Sequence, residues 1–78
     1  MTHTEIKQFL DHSITLVLTL HRRTTYAIQG DLAYDIDPLT NEMMYDVYTR
    51  QGVYRFPIED VHSVENSVDK GIVIRLTN

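Results

Sequence analysis

Cysteine and tryptophan are both absent from this chain of 78 residues, and proline and glycine are scarce, with two and three copies. The absence of cysteine excludes disulfides, thiolate nucleophiles, zinc–thiolate sites and iron–sulfur clusters. No apolar run reaches the roughly 18 residues that a membrane span requires, and the first dozen residues do not resemble a signal peptide. We therefore expect a cytoplasmic protein with no membrane partner, held together by hydrophobic burial.

Size and charge limit the possibilities further. The chain has room for a single domain, residues 1–78, because two cores of half this size would each bury too little surface. Eleven acidic residues against seven Lys and Arg give a net charge of −4, which is opposite in sign to that of the usual nucleic-acid-binding protein. Any role in binding nucleic acid would therefore need a local basic patch.

A short helix is predicted near the start of the chain, over about residues 4–12. Thr2 and Glu5 have the spacing of a capping box, and Ile6 and Leu10 are four residues apart on one helical face. So short a helix is only marginally stable alone in water. We therefore expect its apolar face to lie against a sheet.

From residue 13 onward apolar and polar residues alternate, which is typical of β-strands. Gly30 lies in the middle of an unusually long strand, a position where glycine often marks a bulge or a sharp bend. Turn signals recur about every eight to twelve residues, as in a small barrel. The pattern predicts a mainly β fold, namely an N-terminal helix followed by a five- or six-stranded, strongly bent antiparallel barrel over about residues 13–77. The predicted strands are 13–21, 26–37, 43–50, 53–58, 61–65 and 72–76.

The apolar positions of these elements define a predicted core. Its members are Ile6, Phe9, Leu10, Leu16, Leu18, Leu20, Ile28, Leu32, Ile36, Phe56, Val61, Val64, Ile72 and Ile74.

Neither a metal site nor a catalytic site is predicted. The four histidines, at 3, 12, 21 and 62, do not have a spacing that would put two imidazoles on one face. Between Arg23 and Arg50 every charge is negative, but the ligand spacing of an EF-hand is missing, so this segment is interpreted as a solvated acidic face. The chain also lacks a nucleophile elbow, a P-loop and a glycine-rich dinucleotide turn. We expect no enzymatic activity and no cofactor.

Arginine and tyrosine residues gather around two of the predicted turns and form the candidate binding surface. Such residues give single-stranded nucleic acid a positive charge for its phosphates and a flat ring for its bases. The same residue types are enriched at protein–protein interfaces, and they also pack across strands with no partner at all. All three interpretations stay open. The candidate residues are Arg22, Arg23, Tyr26, Tyr48, Arg50, Tyr54 and Arg55.

Two segments resemble a known family. The stretch Gly30-Asp-Leu-Ala-Tyr-Asp-Ile-Asp37-Pro-Leu-Thr-Asn41 and the later Tyr54-Arg-Phe-Pro-Ile-Glu-Asp-Val61 are similar to the "G-x-I-x-x-I-D … I-P-F-E-D-I" core of YolD-like proteins. The resemblance covers roughly residues 5–65. It implies a bacterial protein with an Sm-like barrel and an accessory role beside Y-family DNA polymerases of the DNA-damage response. The chain departs from the family in having no basic "R-G-x-x-K-W" segment.

These observations predict an Sm-like or SH3-like barrel that acts as a non-enzymatic interaction or adaptor module. The alternative is a small Sm-like protein that binds single-stranded RNA or DNA. A third interpretation is a regulator whose acidic face meets the basic surface of another protein. Because small barrels expose strand edges, a homo-oligomer formed through these edges is also expected.

Overall fold

The alternating segments form six β-strands in the computed structural model, which describes residues 2–20 and 24–77. A 3-10 helix, Ile58–Asp60, separates the fourth strand from the fifth, and an α-helix, α1 (His3–Lys7), precedes them all. The strands are β1 (Ser13–Leu20), β2 (Thr24–Ile36), β3 (Met43–Thr49), β4 (Gly52–Pro57), β5 (Val61–Ser67) and β6 (Gly71–Leu76).

Helix α1 begins as predicted but ends earlier. Thr2 and Glu5 form the expected capping box, in which the Thr2 Oγ1 atom accepts from the Glu5 amide at 3.4 Å. The helix ends at Lys7, although the prediction extended to residue 12. Asp11 has a positive φ of 66°, which an α-helix does not tolerate.

After α1 the backbone forms hydrogen bonds with strand β2 instead of continuing the helix. The Asp11 amide donates to the Leu32 carbonyl at 2.7 Å, and the Leu32 amide donates to the His12 carbonyl at 3.0 Å. These bonds take up the Asp11 amide and the His12 carbonyl, so a helix cannot continue there. The last residue of the predicted helix, His12, therefore lies outside α1.

The six strands form one mixed sheet in the order β4-β3-β2-β1-β6-β5. Neighbouring strands are antiparallel except β1 and β6, which run parallel. The prediction of a wholly antiparallel arrangement was wrong at this pair. The reason lies in composition, since β6 is a nearly continuous apolar run and β5 is mostly polar. The more apolar strand takes the inner position, where both of its faces are covered.

The sheet curls but does not close. Strands β4 and β5 lie at opposite ends of the strand order, yet only Ile58–Asp60 connects them. The four residue steps from Pro57 to Val61 span at most about 14 Å, whereas six strands laid flat would separate the outer two by about 24 Å. The ends of the sheet must therefore approach each other. Within the described residues, however, no ladder joins β4 to β5.

Strand β2 is 13 residues long because it serves two partners in succession. Residues 24–31 pair with β1 and residues 31–36 pair with β3, so that Asp31 has a register partner on each side. Gly30 lies at this change of partner. A Cβ atom there would overlap the Tyr48 carbonyl oxygen and lie 2.8 Å from the Val47 Cγ1 atom. The close approach of two backbones explains why the residue is glycine.

Seven of the fourteen predicted core residues are buried, and five more pack against them. Phe9, Leu10, Ile28, Val64 and Ile72 are only partly buried and pack against the buried cluster. The side chain of Leu20 lies outside the description. The buried members that were predicted are Ile6, Leu16, Leu18, Leu32, Phe56, Val61 and Ile74.

Ile36 was wrongly placed in the core, because its side chain is 51% exposed. The inner face of β2 is covered as far as Leu32, and beyond it Tyr34 is exposed like Ile36. Five further buried apolar residues were not predicted. They are Ile14, Tyr45, Val47, Val73 and Leu76.

In the described part of the chain, no helix has the length and apolar character needed to cross a membrane.

Replacing Gly30 with alanine should lower the free energy of unfolding by about 1–3 kcal/mol, because the new Cβ atom has to displace the β3 backbone. Chemical denaturation with urea measures the change. Gln29→Ala, at the neighbouring exposed position of β2, is the control and should stay within about 0.5 kcal/mol of the wild type. An unchanged stability for Gly30→Ala would show that the two backbones are farther apart than described.

Candidate interaction surface

Strands β3 and β4 carry most of the predicted binding residues that the structure describes, and their alternation sorts the side chains onto two faces. Tyr45 and Phe56 are register partners on the inner face, where both are buried. On the outer face Tyr48 is paired with Val53, and both side chains are about half exposed, at 51% and 54%. The outer face is therefore the side on which these strands can meet a partner.

Arg55 is held by carboxylates on this outer face. Its Nε atom donates to the Asp46 Oδ1 atom at 2.7 Å, and its Nη2 atom donates to Asp46 Oδ2 at 3.0 Å. The Asp35 Oδ2 atom lies 3.8 Å from the same Nη2 atom. The hydrogen bond to Asp46, followed by the charge of that carboxylate, raises the pKa of Arg55 above its ordinary value. This arginine stays charged, and its charge is already balanced.

Asp46 was wrongly interpreted as part of a solvated acidic face, since the residue is only 1% exposed. It lies directly opposite Arg55 in the ladder between β3 and β4, and the bidentate contact satisfies both of its oxygens. The sequence could have indicated that Asp46 is buried, because this residue interrupts the apolar run from Met43 to Tyr48. A single carboxylate in such a run is usually buried with a partner.

On the inner face, Tyr45 ties α1 to the sheet. Its hydroxyl forms a hydrogen bond of 2.6 Å with the His3 Nδ1 atom, and its ring stacks on Phe56 with centroids 5.8 Å apart. Burial, followed by the charge interaction with Tyr34, raises the pKa of Tyr45. The Lys7 ammonium lies 5.3 Å from the centre of the Tyr34 ring, a second link between helix and sheet. His3 therefore has a structural partner that the sequence did not indicate.

Those of the predicted binding residues that the structure describes do not converge on one surface. Arg22 and Arg23 lie outside the described residues. Tyr26 is exposed near the start of β2, whereas Tyr54 is half-buried and packs against the core. Arg50 is exposed at the end of the β3–β4 hairpin.

Of the set, the structure brings together Tyr48 and Arg55, which are diagonal neighbours on the outer face. Asp31 extends this group, because it is the register partner of Tyr48 on β2 and its side chain is exposed. Asp31, Tyr48 and Val53 thus form one row across three strands, which we call the outer row. Sequence reasoning did not combine these three residues, because their register became known only from the sheet.

A shallow depression of about 200 Å³ lies between the first half of β2 and the tip of the β3–β4 hairpin. Thr49 shapes this tip, because its hydroxyl accepts from the Gly52 amide at 3.2 Å and donates to the Gly52 carbonyl at 2.9 Å. Only Tyr54 among its lining residues was a predicted binding residue. The depression is lined by Ile28, Thr49, Gln51, Gly52, Val53 and Tyr54.

Within residues 2–20 and 24–77, no three histidine, aspartate or glutamate side chains are grouped so that they could hold a metal ion. In the same ranges every buried side-chain nitrogen and oxygen has a hydrogen-bond partner. The arrangement can offer apolar, aromatic and carboxylate contacts at its surface.

Comparison of the chain with protein-family models, with curated proteins and with solved structures finds no match. The resemblance to YolD-like proteins therefore stays a prediction that rests on the two segments that carry it.

Replacing Arg55 with alanine should lower the thermal stability at least about twice as much as Arg50→Ala, because it leaves the buried Asp46 carboxylate without its partner. Circular dichroism melting curves measure both. The double variant Asp46→Ala with Arg55→Ala should recover part of the loss, since it removes the unpaired charge. Equal effects of the two arginine variants would show that the contact with Asp46 contributes nothing to stability.

Replacing Tyr45 with phenylalanine should lower the free energy of unfolding at neutral pH by about 1 kcal/mol, because the hydrogen bond to His3 is lost. Unfolded tyrosine loses its proton near about pH 10, and native Tyr45 loses it at a higher pH, so the native state binds more protons in that window and stability falls as pH rises. Tyr45→Phe should remove this part of the decrease.

Urea denaturation over a series of pH values measures the effect. Tyr48→Phe removes a hydroxyl at an exposed position and should change the neutral-pH stability by less than about 0.5 kcal/mol. An alkaline loss of stability as steep in Tyr45→Phe as in the wild type would contradict the assignment to Tyr45.

Proposed function

We propose that this protein is a cytoplasmic, non-enzymatic interaction module with an Sm-like or SH3-like barrel, and that it binds another protein through its outer row. The observation that carries the proposal is the engagement of Arg55 by Asp46 and Asp35. It balances the charge of Arg55, so this arginine is not free to meet a phosphate beside the exposed aromatic and aliphatic side chains of this face.

The barrel assignment is supported by the curl of the sheet. A connection of three residues, Ile58–Asp60, brings the two outermost strands together, as in small barrels whose last strands fold back over the first. The interior is filled by large side chains, among them the fully buried Tyr45, Phe56 and Leu16. A filled interior favours function at the surface over chemistry inside.

A protein partner fits the outer row better than nucleic acid does. Tyr48 and Val53 provide an exposed aromatic and an exposed aliphatic side chain next to each other, the combination that forms the centre of many protein interfaces. A nucleic-acid phosphate on this face would meet the carboxylates of Asp31 and Asp35, both of them exposed. The electrostatic term that dominates nucleic-acid binding would therefore be unfavourable there.

The family resemblance suggests who the partner is. YolD-like proteins are often encoded beside Y-family DNA polymerases, so an accessory role in the DNA-damage response is the specific form of the proposal. A homo-oligomer formed through strand edges remains a prediction within it, and analytical sedimentation over a range of concentrations tests that part.

The proposal is tested with a purified Y-family DNA polymerase from a bacterium that encodes a YolD-like protein, and with a labelled single-stranded oligonucleotide at low salt. We expect the polymerase to bind and the oligonucleotide not to bind. Tyr48→Ala should weaken polymerase binding at least about tenfold, as expected of an interface hot spot. Val68→Ala changes an exposed aliphatic residue away from this face and is the control, with unchanged binding.

Failure of the polymerase to bind would remove the polymerase-accessory role. Equal binding by wild type and Tyr48→Ala would remove the outer row as the interface. An oligonucleotide that binds at low salt and dissociates steeply as salt rises would establish the nucleic-acid alternative instead.

A further inference from the structure

The first half of β2 has an open edge. Residues 24–31 pair with β1 on one side, and β3 begins to pair on the other side only at Asp31. Within the described part of the chain, no strand pairs with the second edge of residues 24–29. Four successive residues there, Thr24, Thr25, Tyr26 and Ala27, are exposed. Among the described residues nothing bonds to the backbone amides and carbonyls on this edge, so they can bond with another strand.

This edge lacks the devices with which proteins commonly block strand pairing. Residues 24–29 contain no charge and no proline, and they are rich in β-branched and aromatic residues. The two outermost strands differ in this respect. Strand β4 carries Arg55 and ends in Pro57, and β5 has an irregularity in its register between Val61 and Ser63. The open edge of β2 is therefore less protected than the edges of the two outermost strands.

The surroundings of the edge indicate what would bind there. The depression beside it is partly apolar, with Ile28, Val53 and Tyr54 in its lining, and offers room for an aliphatic side chain of an added strand. At the far end of the edge, Asp31 has an exposed carboxylate that forms no ion pair within the described residues. Tyr48, its register partner, presents an exposed ring against which a cation can lie.

We propose that the open edge of β2 binds an extended peptide segment of a partner protein as an additional strand, with an aliphatic side chain in the depression and a lysine or arginine at Asp31. Backbone hydrogen bonds supply most of the affinity in this mode of binding, and the side chains supply specificity. A cationic segment is favoured over a second copy of this chain, because each copy has a net charge of −4 and the two would repel. This inference rests on the proposed function, for it names the chemical class of the partner.

The test uses synthetic ten-residue peptides of alternating valine and lysine, alongside a matched valine–glutamate peptide and a valine–lysine peptide methylated at alternate backbone amides. Fluorescence anisotropy measures binding to the full chain, and amide hydrogen exchange identifies the bound edge. We expect the valine–lysine peptide to bind and to slow exchange at residues 24–29, whereas the other two should bind at least about tenfold more weakly.

Asp31→Asn should weaken binding of the valine–lysine peptide about two- to fivefold, as expected of an exposed ion pair. Asp69→Asn removes an equal charge in the exposed turn between β5 and β6 and should leave binding unchanged. Equal binding of the lysine and glutamate peptides would overturn the inference, and so would exchange protection outside β2. Self-association that protects residues 24–29 without peptide would assign the edge to a second copy.

These outcomes are separable from those of the proposed function. If the peptides fail to bind and the polymerase still binds through Tyr48, the β2 edge is not the site, and the interaction module stands. If the peptides bind and the polymerase does not, the edge is a site for a different protein partner.

Discussion

The fold depends on the contact between Gly30 and the backbone of Tyr48. At this point β2 leaves β1 and joins β3, and the two strands approach so closely that a Cβ atom cannot be accommodated. Because one long strand serves both neighbours in turn, the sheet can bend around its own side chains. Within the described residues, the same change of partner leaves the first half of β2 with one open edge, so one steric constraint underlies both the bend of the sheet and the exposure of this edge.

The strand pairing of this sheet also decides which charged side chains are paired and which are exposed. Arg55 has the residue type expected of a binding patch. It lies opposite the buried Asp46, however, and donates its hydrogen bonds to that carboxylate. Desolvation offsets much of the attraction in such a pair, so its contribution to stability is modest compared with what is lost when one partner is removed. Arg55 is thereby not free on the outer face, where Asp31 is an exposed carboxylate that forms no ion pair within the described residues.

Much of the fold could be predicted from the sequence. The strands lie close to the predicted positions, and in the turn after β2 the Leu39 amide donates to the Asp37 Oδ1 atom at 2.8 Å. The candidate site was predicted less well. Asp46 was assigned to the solvent and Tyr45 was left out of the core, because alternation within one strand does not reveal what lies opposite. Whether such a side chain is buried depends on the strand register and on coverage by other elements. Ile36 is an example, since it lies on the inner face of β2 and is still exposed.

By itself the sequence determined which segments are extended and where they turn, because these properties depend on residues close together in the chain, and its lack of cysteine excluded disulfides. Only the tertiary structure decided that β6 runs parallel to β1, that His3 bonds to Tyr45 across 42 residues, and that Asp31 joins Tyr48 and Val53 in one row. Each of these contacts joins residues from separate elements. A two-residue period specifies the face of a side chain, but the neighbour it meets depends on how the whole sheet is ordered and bent.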